Sequence, residues 1–252
     1  MKEYVIITGA YGGLGKALAR TYANAGFALV LIGRKKDQLE AMGKELEAHT
    51  DILLIVADVG DWSACQQACV QIKNKKLNIK VLINNAGITY IKKFDTHYDI
   101  AAYKRLIDTN LNGPVFLSQL FLEELIQNRG SLINISSVLG YAPVIGRTAY
   151  AASKYGMQGF SDVLRAETKN KLHLMVVYPT FIQTDIRNSI EGDKTVNEVL
   201  LAGDVARSIL KGQLKRKEKL YLGRTAKLSY YLFKYWPKLY VRIMRKKVGE
   251  IG

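Results

Sequence analysis

Short apolar runs recur at residues 4–8, 28–33, 52–57, 81–84, 132–136 and 174–178, and stretches of helical periodicity separate them. After the first run Leu14, Leu18, Tyr22 and Ala25 return every three or four residues, which places them on one side of a helix. Strands that are apolar on both faces must be covered on both, and parallel neighbours need a crossover between them. The alternation therefore predicts an α/β fold, a doubly wound, Rossmann-type parallel sheet with helices on both faces. At 252 residues and 48% hydrophobic content, a single such domain accounts for the chain.

The remaining composition narrows the classes. Cys65 and Cys69 are the only cysteines, which excludes a disulfide framework and points to a reducing, cytoplasmic setting. They lie four apart in a predicted helix, but His49, His97 and His173 are scattered without ligand spacing, so no metal is expected and the thiols read as buried. The run at residues 4–7 is too short for a signal segment and reads as a first strand. No stretch approaches the roughly 18 apolar residues of a membrane span, so a soluble or surface-attached protein is expected. The net charge of +15 is concentrated late: residues 211–252 hold 13 basic and 2 acidic side chains, against 24 and 20 before them.

The first strand leads into Thr8, Gly9, Ala10, Tyr11, Gly12, Gly13, Leu14 and Gly15, and then a helix. Glycines allow a tight turn and close approach of a dinucleotide pyrophosphate to amides at the helix N-terminus, although such a turn can also be purely structural. At the end of the second strand, where an acidic residue would hold the ribose of NAD, stand Arg34, Lys35 and Lys36. A guanidinium can fork onto a 2′-phosphate, so NADP(H) is preferred over NAD(H); the alternative is a solvated basic loop. Asp58, followed by Val59, is placed to accept from an adenine amino group or to cap the helix near Asp61. Asn84, Asn85, Ala86 and Gly87 follow the fourth strand; their small size permits passage of the cofactor ribose, or their amides stabilise the loop.

Ser137 ends the fifth strand, and Tyr150 and Lys154 follow one helical turn apart on a common face. A free phenol titrates near about 10, and a close ammonium or oxidised nicotinamide favours its ionised form. Ser137 can donate to a substrate oxygen as charge develops there. The set points to proton transfer coupled to hydride exchange between a carbonyl and an alcohol.

In their order, Gly9-x3-Gly13-x-Gly15, Asn84 to Gly87, Asn110, Ser137, Tyr150-x3-Lys154 and the proline after the sixth strand resemble the short-chain dehydrogenase/reductase family, over about residues 2–223. The resemblance implies a seven-stranded sheet, Tyr150 as general acid or base, Ser137 as ligand of the substrate oxygen, and Lys154 as holder of the nicotinamide ribose. It also implies that Asn110 anchors a water relaying protons from Lys154. Pro179, Thr180 and Ile182 would line the cofactor, with Thr184 at the position that contacts the carboxamide. Thr180 stands where the family usually has glycine, which predicts a local backbone difference. The helices at 99–128 and 148–169 resemble the family's subunit faces, implying a homodimer or homotetramer.

Two expectations concern the substrate and the tail. Residues 183–199 read as a lid, and Ile182, Ile186, Ile190, Leu139, Tyr141 and Val144 suggest an apolar carbonyl or alcohol substrate, or ordinary core. Residues 1–223 form the single domain and residues 224–252 a basic helical extension, split at Pro237. There Leu228, Leu232, Tyr235, Leu239 and Ile243 form an apolar series beside a basic one. It would lie peripherally on an anionic membrane, or pack on the body or a second subunit. Nucleic acid is not expected as a partner, since nothing else supplies a reading module. A non-catalytic nucleotide-binding regulator is the rival to an enzyme, against which stands the retention of Asn110, Ser137, Tyr150 and Lys154.

Overall fold

The computed structural model describes residues 2–169, 171–183 and 199–248. Its main sheet has seven parallel strands: β1 (Glu3–Thr8), β2 (Ala28–Gly33), β3 (Ile52–Val56), β4 (Asn78–Asn84), β5 (Ser131–Ile135), β6 (His173–Pro179) and β9 (Lys219–Leu222). They run in the order β3-β2-β1-β4-β5-β6-β9. Two shorter strands, β7 (Phe181–Ile182) and β8 (Val199–Leu200), pair with each other outside it. Winding reverses between β1 and β4, which opens a crevice at the carboxyl ends of the strands, where doubly wound sheets bind ligands.

Alternate strand residues feed two cores. Val5, Ile7, Leu29 and Leu31 meet α1 (Gly13–Asn24), α2 (Lys36–Leu46) and α7 (Ala202–Leu214). Ile6, Val30, Leu82 and Val176 meet α3 (Trp62–Asn74), α5 (Gly113–Gln127) and α6 (Thr148–Thr168). Cys65 and Cys69 are buried free thiols of α3, and burial pushes Cys65 up to about 12.

Most strand boundaries fall within a residue of the apolar runs, and the larger differences are at β4 and at the helix expected over 99–128. β4 begins at Asn78, three residues before its apolar run, because Glu3 and Tyr4 offer ladder partners to Asn78 and Ile79 whatever their polarity. The helix expected over 99–128 is α4 (Ile100–Ile107), a π-helical turn over Asp108–Asn112, then α5. At its start Asp99 caps α4 by accepting from the Ala102 amide.

Beyond β9 the chain forms α8 (Arg224–Tyr235) and α9 (Pro237–Val248), divided at Pro237, where proline's fixed φ suits a first helical turn. The expected apolar series is split. Leu232 packs with Tyr230, Phe233, Tyr240 and Met244 against the core, whereas Leu228, Tyr235 and Leu239 are exposed. No helix among the described residues is long and apolar enough to cross a membrane.

Candidate active site

At the crevice, β1 ends in Thr8, whose hydroxyl accepts the amides of Asn85 and Ala86, both at 2.9 Å. Asn85 returns the brace, its Nδ2 donating to the carbonyls of Thr8 (2.8 Å) and Gly9 (3.2 Å). Gly9 has φ +62°, and a Cβ there would stand 2.9 Å from the Ala86 Cα; at Gly15 it would stand 2.1 Å from the Gly9 carbonyl oxygen. These glycines let the turn fold against both its own helix and the loop after β4. The Leu14 side chain enters the core, and the Tyr11 ring lies over Gly33. Gly12 caps α1 without a side-chain acceptor, and no acidic residue follows in the first turn, so the positive end of the helix suits an anion.

Arg34 and Asp58 stand side by side beyond β2 and β3, 3.4 Å apart and each half-exposed. Asp58 also accepts the Gly60 amide, while Asp61 caps α3 through the Ala64 amide. Asp58 is therefore not the cap. Val59 is buried, its carbonyl oxygen 2.7 Å from where a Cβ on Gly113 would lie, so its backbone fixes how α5 meets this loop.

Beyond β5, Ser137 caps a 3₁₀ turn over Val138–Gly140 and hydrogen-bonds to Tyr150 on the first turn of α6. Lys154 is buried one turn on, its Nζ 2.8 Å from the Ile135 carbonyl oxygen and 5.5 Å from the centre of the Tyr150 ring. Burial pulls the Lys154 ammonium down to about 8. Burial also raises the Tyr150 phenol above its ordinary value, opposed by the Ser137 hydrogen bond and then by the positive charge of Arg147. Asn110 sits in the π turn with both ends of its carboxamide on Ile88, accepting its amide at 2.8 Å and donating to its carbonyl at 2.9 Å. It also reaches the Ser153 hydroxyl of α6 at 3.4 Å.

Other neighbours had gone unread. Arg147, three residues before Tyr150, donates to the Thr89 hydroxyl at 2.8 Å, linking α6 to the loop after Gly87. Its helical spacing was the available signal. Tyr90, Tyr98 and Tyr103 form with Ile88 and Tyr150 an aromatic cluster over Leu106 and Ala149, assembled by a long loop without a periodic signature. Tyr141 is committed elsewhere, its hydroxyl donating to the Ala226 carbonyl at 2.7 Å. Pro179 is buried at the end of β6, and Ile182 packs on the α1 side of the sheet. Thr180 avoids positive φ; Gly223 takes it at +101°, and a Cβ there would come 2.2 Å from the Thr180 hydroxyl oxygen. Thr184, Ile186 and Ile190 lie outside the described residues, as does most of the expected lid.

The profile of the short chain dehydrogenase family matches residues 3–195. Over 98% of its length the chain is 34% identical to Dehydrogenase/reductase SDR family member 7B of Danio rerio, covering 87% of that protein. It is 32% identical to Sulfoacetaldehyde reductase 2 of Chromohalobacter salexigens, over 79% of this chain and 81% of the relative. Among solved structures, a short-chain dehydrogenase from Sphingobium yanoikuyae in complex with NADPH superposes with a TM-score of 0.81, at 25% identity and 94% coverage of each chain. With the family profile matching residues 3–195 and a relative 34% identical along 98% of this chain's length, the chain belongs to the short-chain dehydrogenases and is an oxidoreductase.

Proposed function

We propose that the chain interconverts a ketone or aldehyde with an alcohol on an apolar substrate, using NADP(H) in preference to NAD(H). The observation that carries this reading is the convergence of Ser137, Tyr150 and Lys154 at one strand end, with the phenol bonded to Ser137 and the ammonium 5.5 Å from its ring centre. The glycine turn fits a dinucleotide, because Gly9 and Gly15 keep the backbone flat against its neighbours and α1 opens with no acid of its own. Gly12, Gly13 and Leu14 would present amides to the pyrophosphate, Arg34 would meet the 2′-phosphate and Asp58 the adenine. Ala86, Gly87 and Pro179 would pass along the ribose and nicotinamide. The NADPH bound by the Sphingobium relative supports the choice of cofactor.

Bound there, the cofactor supplies or accepts the hydride. Tyr150 hands its proton to the substrate oxygen during reduction and takes it back during oxidation. Ser137 donates to the same oxygen and steadies the phenolate when the proton has left. Lys154 and Arg147 place positive charge beside that phenolate, which is what a buried phenol lacks. Asn110 acts through position, clamping the loop at Ile88 to α6. Ile88, Tyr90 and Tyr98 form the apolar wall that favours an apolar substrate.

The test is NADPH oxidation across aliphatic, aromatic and steroidal ketones by the wild type and by Tyr150→Phe. Turnover should fall on the order of a hundredfold or more in the variant, with NADPH binding retained. Equal turnover in both would remove Tyr150 as the proton donor.

A further inference from the structure

The two C-terminal helices carry more apolar surface than the body covers. On α8, Ala226, Tyr230 and Phe233 face the core. A second stripe, Leu228, Tyr231 and Tyr235, follows the same helical spacing on the exposed side and continues through Trp236 and Leu239. Trp236 is 59% and Leu228 64% exposed. The rings already touch: Tyr231 and Tyr235 stack with centres 6.3 Å apart, and Trp236 meets Tyr235 edge-on at 6.0 Å. Lys234 lies over the Tyr235 ring at 5.4 Å. Beside this stripe, Lys238, Arg242, Arg245 and Lys246 line a groove of about 550 Å³ on α9, with Pro237 and Val241 completing its wall. Residues 224–248 contain eight basic side chains and no acidic one.

We propose that the outward face of α8 and α9 docks on an anionic lipid bilayer. Tyr and Trp, apolar in body and polar at one end, suit the depth of lipid headgroups, and leucines enter just below them. The surrounding cations meet phosphate groups whose charge opposes theirs. A second copy of the chain is the poorer occupant, because a two-fold contact would set these cations against themselves with no carboxylate in residues 224–248 to answer them. Docking would bring the start of α8, and with it the crevice end of β9 and the Tyr141 loop four residues from Ser137, close to the bilayer surface. An apolar substrate dissolved in lipid would then have a short path to the site. The docking surface itself stands whether or not the reading of the chemistry does.

Flotation of the full chain with vesicles tests it, comparing phosphatidylcholine alone with a mixture in which about one third is phosphatidylglycerol. Two exposed-surface variants accompany the wild type: Tyr235→Ser with Trp236→Ser and Leu239→Ser, and Lys238→Glu with Arg242→Glu and Arg245→Glu, their folding checked by circular dichroism. The wild type should float with the anionic vesicles only and release in high salt, and each variant should lower partitioning on the order of tenfold or more. In a Trp62→Phe background, Trp236 emission should shift to the blue on binding. Failure of the wild type to bind anionic vesicles at low salt overturns the proposal, as does binding indifferent to both variants. A concentration-dependent dimer abolished by the serine variant, without vesicle binding, would assign the face to a second subunit. Retention on single-stranded DNA lost only in the glutamate variant, again without vesicle binding, would assign it to nucleic acid.

Discussion

Lys154 holds its charge where water does not reach, and its pKa of about 8 measures that cost. In the unfolded chain a lysine titrates near about 10.4. Between those values the unfolded state holds a proton the native state has lost, so stability rises with pH across the window; below about 8 both states are charged and the full burial cost is borne. The difference is on the order of 3 kcal/mol. Lys154→Met should therefore melt higher relative to wild type at pH 7 than at pH 10, while losing turnover. A gap in Tm constant across that range would contradict the assignment. The spacing of Tyr150 and Lys154 was legible in sequence because four residues make about one helical turn. Tyr98 was not, because what brings it to the phenol is the path of residues 88–99.

Helices α3, α5, α6 and α7 each end on a cation in left-handed backbone, at Lys76, Arg129, Lys169 and Arg216, with φ of +46° to +50°. Glycine occupies that position without the Cβ penalty. Arg216→Gly should raise stability by roughly 0.5–1 kcal/mol in urea unfolding, provided the Gln213 carbonyl keeps its bond to the residue-216 amide. Between β4 and β5, Asn84 donates to Asn134 at 2.9 Å, and Asn134 donates to the Ser161 hydroxyl of α6 at the same distance. Asn134→Leu should cost about 1–3 kcal/mol by stranding these partners, again read by urea unfolding. The apolar runs located six of the strands because strands covered on both faces leave a continuous apolar signature, which β3 keeps even though it lies half-buried at the sheet edge. β9 was known only through resemblance, since Lys219–Leu222 is short, and Lys219 at the sheet edge is exposed. The π turn left no trace in the periodicity, because one added residue shifts a helical pattern too little to separate it from two helices.

At the scale of the molecule, the reversal between β1 and β4 gathers the glycine turn, the Asn85 brace and the Ser137 loop at one end of the sheet; alternation foretold the doubly wound sheet but not the strand order that brings them together. How the last thirty residues attach was not legible, because the tyrosines that receive them, Tyr141, Tyr178 and Tyr221, come from three distant segments. Tyr141→Phe should cost about 1 kcal/mol by removing a buried hydrogen bond to the Ala226 carbonyl, which then keeps only its partner within α8. It should also speed tryptic cleavage at Lys227; unchanged cleavage would show that ring packing alone secures α8. Tyr230 lies edge-on against Tyr141, with centres 5.3 Å apart, and Tyr240 is buried in the same core as the strands. Shortening the polypeptide at Gly223 would consequently strip a side of that core rather than shed an appendage. The resulting fragment should aggregate or lose cooperativity on melting, and any loss of catalysis it showed would report on folding before it reported on chemistry.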